Sequence, residues 1–186
     1  MSTISSSASQ DGLRFDGRVA IVTGAGGGLG RSHALQLAAR GAKVLVNDLG
    51  SARDGSGGSS AAAEAVVAEI RAAGGVAMAN GCSVTDPAGV QAMVDQVMAE
   101  WGRIDILVNN AGATWGAPAE DHPLEAWDKV MNLNVRSLFV FAQAVAKQSM
   151  IPRRCGRIIN VASIAGLSGN PSAMKTIAYN TSKGAV

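Results

Sequence analysis

RVAIVTGAGGGLGRSHALQLAA, residues 18 to 39, carries three things in order: a short apolar run, a turn with five glycines, and an amphipathic helical segment. A turn that brings backbone amides up to an anion needs glycine where a Cβ would block approach or where φ must be positive. A helix N-terminus behind it adds a dipole that favours negative charge. TGAGGGLG, 23 to 30, supplies both. Alone, such a turn also serves as an ordinary strand-to-helix connection, but its place after the first strand and ahead of a helix favours phosphate binding.

Downstream, short β-branched runs alternate with longer alanine-rich segments, which signals βαβ units and a parallel sheet. The expected strands are RVAIVT (18 to 23), KVLVND (43 to 48), GVAMAN (75 to 80), IDILVN (104 to 109) and GRIINVA (156 to 162). Their apolar character on both faces suits strands covered by helices on each side. Periodicity places Val90, Met93, Val94, Val97, Met98 and Trp101 on one helix face, and Ala62, Ala65, Val66, Ile70 and Ala73 on another. A long helix is expected from Leu124 to Met150, apolar at Leu138, Phe141, Ala144 and Val145 and ending before Pro152. The fold class is α/β: a Rossmann-type doubly wound parallel sheet with helices on both faces. Only five strands are found, so the sixth strand of the 3-2-1-4-5-6 order is missing and the chain reads as C-terminally incomplete.

At 186 residues and 47% hydrophobic, the chain suits one domain. Residues 1 to 14 are expected to be a disordered tail and 15 to 186 a dinucleotide-binding domain. GSARDGSGGSS, 50 to 60, is a low-complexity loop. A net charge of +2 without a basic run argues against a nucleic-acid partner. No apolar run approaches the roughly 20 residues of a membrane span. The N-terminus lacks a basic n-region and an apolar h-region. Cys82 and Cys155 lack metal-like spacing and read as reduced thiols. These features point to a soluble, cytoplasmic protein without a metal site.

Two features carry chemistry. Asp48 ends the second strand 24 residues after Gly24, where a carboxylate accepts hydrogen bonds from the adenosine ribose hydroxyls of NAD and repels the 2′-phosphate of NADP. Arg53, in the following loop, is the one group there that would favour NADP. Tyr179 and Lys183, in YNTSK, lie one helical turn apart. A tyrosine exchanges protons near neutral pH only if its reference pKa of about 10 is lowered, and a neighbouring ammonium does that. Without the upstream motifs, Tyr179 would read as a packed ring and Lys183 as a solvated charge.

Together these residues resemble the short-chain dehydrogenase/reductase family. Thr23, Gly24, Gly28 and Gly30 match its glycine turn, with Leu29 inside it. Asn109, Asn110, Ala111 and Gly112 match its N-N-A-G run, Ser163 in NVASIAG its serine, and Tyr179 and Lys183 its Y-x-x-x-K. Asn134 in MNLNVRS matches its relay asparagine. The resemblance implies a nicotinamide-dependent oxidoreductase acting on a small-molecule alcohol or ketone. Tyr179 would be the acid/base, and Lys183 would tune it and bind the nicotinamide ribose. Ser163 would bind the substrate oxygen, and Asn134 would hold a water linking Lys183 to solvent. Thr23, Gly24, Gly28, Leu29, Gly30, Asp48, Val84, Asn110, Ala111, Gly112, Tyr179 and Lys183 would contact the cofactor, NAD ahead of NADP. Family members assemble through their long helices, so a homo-oligomer is expected of the intact protein; the missing strand counts against it for this chain.

The chain departs from the family pattern where an acidic residue usually faces the adenine: Ser83 stands there, so the backbone near Val84 would take over. The segment between Ser163 and Tyr179 is also longer than usual. LRFDGRV, VNDLG and the GSGGSS loop resemble the hydroxyacyl-CoA dehydrogenase module of multifunctional β-oxidation enzymes. NNAGATWGAPAEDHPLEAWDKVMNLNV resembles sugar-acid dehydrogenases and ketoacyl reductases. Trp115, Met174 and Ile177 would line an apolar substrate pocket, or serve as ordinary packing. The competing reading is a non-catalytic or unstable dinucleotide-binding fragment of such an enzyme. A Rossmann-like binder of another nucleotide would explain the glycine turn but not Ser163, Tyr179 and Lys183.

Overall fold

The structure is a computed structural model, and it describes residues 12–50, 60–171 and 173–186. The low-complexity loop beyond Gly50, with Arg53, and the tail up to residue 11 lie outside the described residues.

Five parallel strands form one sheet in the order β3-β2-β1-β4-β5. They are β1 (Val19–Thr23), β2 (Lys43–Asn47), β3 (Val76–Asn80), β4 (Ile106–Asn109) and β5 (Arg157–Asn160). The first helices are α1 (Gly28–Ala39), α2 (Ala61–Ala72) and α3 (Pro87–Trp101). In β1 the period-2 alternation splits the core: Ala20 and Val22 face one layer with Ala34, Ala38, Val66 and Ile70. Val19 and Ile21 face the other, with Val90, Met93, Val94, Val97 and Phe141. This is the two-sided burial that parallel strands require.

Two helix expectations need correction. The buried face of α2 is Ala63, Val66, Val67 and Ile70, while Ala65 and Ala73 are exposed; the branched side chains, with more apolar area to bury, set the rotation over the alanines. The long helix does not stop before Pro152. It runs as α4 (Leu124–Met131), a π-helical segment Asn132–Arg136, α5 (Ser137–Val145), a second π segment Ala146–Met150 and α6 (Ile151–Arg153). Pro152 sits within α6, directly after the second π segment and close to the end of the helix. Termination comes two residues later at Arg154, in the left-handed region at φ 51°, with the Cys155 amide donating to the Met150 carbonyl (3.1 Å). A 3₁₀ turn (Ile164–Gly166) and α7 (Ile177–Gly184) complete the described chain.

At the N-terminal edge of the sheet, Asp105 is 3% exposed and pairs with Arg103 (2.7 Å), Arg153 (2.7 Å) and Arg18 (3.4 Å), while accepting the Val19 amide (2.9 Å). Burial pushes its carboxyl upward, but the hydrogen bonds from Arg103, Arg153 and Val19 outweigh it and hold the group below the usual carboxylate range. No helix among the described residues is long and apolar enough to cross a membrane.

Candidate active site

The functional residues gather at the other edge, past the C-terminal ends of the strands, where the order turns from β1 to β4. Doubly wound sheets open a crevice at such a switch point. Here it is a cleft of about 610 Å³ running from Ser83, Val84 and Thr85 past Asp48 and the glycine turn to Asn110, Ala111 and Gly112.

Hydrogen bonds across β1 and β4 build the turn. Thr23 Oγ1 accepts the amides of Asn110 and Ala111 (3.0 Å each) and donates to the Val108 carbonyl (3.3 Å). Asn110 Nδ2 donates to the carbonyls of Thr23 and Gly24 (3.0 Å each). Thr23 and Asn110 therefore shape the wall of the cleft. The backbone leaves no room for side chains: Gly24 has φ +61°, and a Cβ there would lie 2.9 Å from Ala111 Cα. At Gly26 a Cβ would meet Ala62 Cβ at 2.7 Å and Asp48 Cγ at 2.8 Å. Asp48 in turn accepts the Gly26 amide through Oδ2 (2.7 Å) and the Gly50 amide through Oδ1 (2.6 Å), which fixes the carboxylate at the cleft wall.

Of the residues expected to meet a cofactor, Gly24, Gly28, Asp48, Val84, Asn110, Ala111 and Gly112 line the cleft. Thr23 and Gly30 are buried behind the turn, and the Leu29 side chain is 65% exposed and outside the lining. Gly26, Thr85 and Lys129 also line it and were not singled out in the sequence. Gly26 stands inside the glycine run at a variable position of the motif, so nothing local marked it. Lys129 reaches the cleft from a helix whose placement the sequence does not show.

The second group converges beside Gly112. A Cβ built on Gly112 would lie 3.2 Å from Asn134 Oδ1 and 3.8 Å from Lys183 Nζ. Lys183 is buried, donates from Nζ to the Val161 carbonyl (2.6 Å) and sits 5.9 Å from the centroid of the Tyr179 ring. Desolvation pushes its pKa below the ordinary lysine value. Asn134, fully buried, lies in the first π segment, a feature frequent at functional sites. Its Nδ2 donates to the Ala113 carbonyl and to Ser182 Oγ, and its Oδ1 accepts the Ala113 amide (2.9 Å each). Ser182 Oγ donates to the Tyr179 carbonyl (2.7 Å). Asn134 thus ties the segment after β4 to α7, and both side-chain donors are committed to that bracket.

Ser163 caps the 3₁₀ turn, its Oγ accepting the Ala165 amide (3.2 Å). Gly166 of that turn packs against the α7 backbone at Lys183 and Gly184, which brings the segment after β5 to the Tyr179 helix. A second cavity of about 440 Å³ lies near the N-terminus of α7, lined by Met174, Ile177 and Asn180. Met174 and Ile177 thus share a cavity, and Trp115 is outside its lining.

A family model described as short chain dehydrogenase matches residues 18–186. The chain is 46% identical over 158 residues to the peroxisomal hydratase-dehydrogenase-epimerase of Neurospora crassa, covering 85% of this chain and 17% of that protein. Among solved structures it resembles NAD+-bound xylitol dehydrogenase (38% identity, TM-score 0.83), covering 93% of this chain and 62% of that one. It also resembles a gluconate 5-dehydrogenase from Burkholderia cenocepacia in complex with NADP and tartrate (35% identity, TM-score 0.80), covering 92% of this chain and 62% of that one. The chain therefore spans less than two thirds of each of these proteins. With the glycine turn and the N-N-A-G run lining one switch-point crevice, Tyr179 and Lys183 outside that lining but Lys183 Nζ close to its Gly112 wall, and a family model matching residues 18–186, this chain belongs to the short chain dehydrogenase family.

Proposed function

We propose that this chain is an NAD-dependent oxidoreductase interconverting a secondary alcohol and a ketone, with Tyr179 as the acid/base. The observation that carries this is the convergence of Lys183 Nζ on the ring of the chain's single tyrosine, at 5.9 Å, beside the Gly112 wall of the cleft. The residues present fit a dinucleotide: the turn is a cradle that a Cβ at Gly24 or Gly26 would fill, and α1 opens behind it with an anion-favouring N-terminus. Gly24, Gly28 and the backbone of Ala111 and Gly112 would hold the phosphates and nicotinamide side. Asp48 would take the adenosine ribose, Val84 the base, and Lys183 the nicotinamide ribose. Thr23 and Gly30 would act from behind the turn, and Leu29 through its backbone amide. When bound, the nicotinamide ring supplies the hydride acceptor or donor.

The chain's own residues handle the proton. Tyr179 takes the hydroxyl proton of the alcohol as its carbinol hydrogen leaves as hydride, and returns it in the reverse direction. Lys183, one turn on, is held by the Val161 carbonyl, and its ammonium charge favours the ionised form of Tyr179. Ser163 donates to the substrate oxygen as charge develops there. Asn134 positions this group by bracketing Ala113 and Ser182. A carboxylate at Asp48 repels a 2′-phosphate, which favours NAD over NADP. The exposed Phe139 on α5, 66% accessible, supports assembly of the intact protein as a homo-oligomer. The cytoplasm is proposed as the compartment, with the peroxisome of the Neurospora relative's name as the alternative that fractionation would decide.

The test is Tyr179→Phe, assayed with NAD against xylitol, gluconate and hydroxyacyl thioesters, with cofactor binding followed by titration. The expected result is a loss of turnover of about 10²–10⁴-fold at unchanged NAD affinity; retained turnover would remove Tyr179 from the chemistry. The second reading is a binder without turnover. NAD binding without turnover on any of the three substrate classes would select it.

A further inference from the structure

The N-terminal edge of the sheet carries more positive charge than its one buried carboxylate uses. Arg18, Arg103 and Arg153 come from three separate segments, just ahead of β1, ahead of β4 and at the end of α6, and all three guanidiniums meet on Asp105 Oδ1. Asp105 Oδ2 is filled as well, accepting the Val19 amide (2.9 Å) and Arg103 Nε (2.8 Å). The carboxylate is 3% exposed, whereas the three side chains that cover it are 47%, 36% and 28% exposed. No other acid pairs with them among the described residues, and Arg154 and Arg157, exposed on the chain that follows, have no ion pair there. Five arginines against one carboxylate leave an excess larger than the +2 of the whole chain. Arg154 also ends α6 at φ 51°, a conformation for which helix ends ordinarily use glycine. A charged side chain thus stands where the backbone favours none.

Donor capacity is left over in the same place. Arg103 spends Nε and Nη2 on Asp105, while Arg153 spends Nη2 on Asp105 and Nη1 on the Ile104 carbonyl and Ser149 Oγ. Arg18 uses Nη1 alone, on Asp105 Oδ1 and Cys155 Sγ. Arg18 Nε and Nη2, Arg103 Nη1 and Arg153 Nε therefore have no partner among the described residues. A guanidinium is a permanently charged planar fork of N–H donors whose geometry matches phosphate oxygens. A second carboxylate would bring one charge and two oxygens in one plane. A multivalent phosphate brings at least two charges and oxygens on several sides, so it takes donors from three arginines at once and offsets the excess. We propose that Arg18, Arg103 and Arg153 form a second anion site, at the edge of the sheet opposite the cleft, that binds a free multivalent phosphate such as pyrophosphate. None of the three lines the cleft, so the site stands independently of the proposed function.

The test is calorimetric titration of the chain with pyrophosphate in saturating NAD, which keeps pyrophosphate out of the glycine turn. One pyrophosphate per chain is expected, with a dissociation constant below about 1 mM at low ionic strength and weaker binding as salt screens the arginines. Arg18→Gln removes the longest of the three contacts, 3.4 Å, and leaves Arg103 and Arg153 on Asp105; it is expected to weaken binding by about tenfold. Arg136→Gln removes the same unit of charge from an exposed position in the first π segment and should change binding by less than about threefold. If Arg18→Gln does not fold, Arg154→Gln, which breaks no ion pair, takes its place with the same two readings. No pyrophosphate binding beside NAD would overturn the proposal, and capture by phosphatidic acid vesicles in its stead would reassign the patch to a membrane surface. Equal weakening by the arginine-site variant and Arg136→Gln would also overturn it, since that is general attraction to net charge. A chain that does not bind NAD takes down the proposed function alone; pyrophosphate is then titrated directly, and the site is read from the binding that Arg18→Gln removes.

Discussion

β1 and β5 are strands of the same sheet with similar sequences, and they live in opposite surroundings. VAIVT is buried at every position, between β2 and β4 and under helices on both faces. RIIN pairs with β4 on one side only, and Ile158 and Ile159 are 40% and 49% exposed. The cofactor cleft hangs on the first kind of strand and the Ser163 segment on the second. The part of the site that must hold its shape to cradle a phosphate is thus built on the closed core. The segment proposed to meet substrate follows a strand with one ladder partner among the described residues.

Four substitutions would break or sharpen this contrast. The largest effect is expected for Ile21→Ala, fully buried in β1, at about 2–5 kcal/mol of unfolding free energy in denaturant titrations. Asp105→Asn comes next, at about 2–4 kcal/mol near neutral pH, because it leaves Arg103 and Arg153 without their buried counter-ion. This loss depends on pH with a defined sign. The folded-state pKa of Asp105 lies below the unfolded value of about 3.9. Its contribution is complete above that value and is lost as pH falls through the folded-state pKa. The gap between wild type and variant should stay level at neutral pH and close in acid, and a pH-independent gap would contradict the ion-pair account.

Gly26→Ala should cost about 1–3 kcal/mol from overpacking against Ala62 and Asp48. It should also weaken NAD binding more than it weakens the fold, since the displaced Asp48 faces the ligand; a variant with native affinity would mean that the turn accommodates a methyl group. Ile159→Ala is expected to cost under about 1 kcal/mol. A cost approaching that of Ile21→Ala would show that β5 is covered in solution, and the contrast between the strands would fall.

Much of the architecture was legible beforehand because its cause is local. The short β-branched runs between alanine-rich segments mark the five strands, and the spacing of Tyr179 and Lys183 puts them on one helix face without any knowledge of what surrounds it. The long helix through Asn134 was legible as a helix, while its π segments and its passage through Pro152 were not, because they depend on which carbonyls find partners across the fold. Asn134 shows this most clearly. Its match to the family's relay asparagine marked it for a role, and only the folded chain shows that its amide is spent on Ala113 and Ser182.

The sequence by itself determined the fold class, the parallel order and the identity of the residues with chemistry to offer, since these follow from periodicity, chain connectivity and functional groups. The tertiary structure alone decided that Gly26 must lack a side chain, that Asp48 is held by two amides, and that Arg18, Arg103 and Arg153 meet on one buried carboxylate. Such facts concern distances between atoms far apart along the chain or across a turn, and a linear pattern of residue types does not contain them until packing sets the distances.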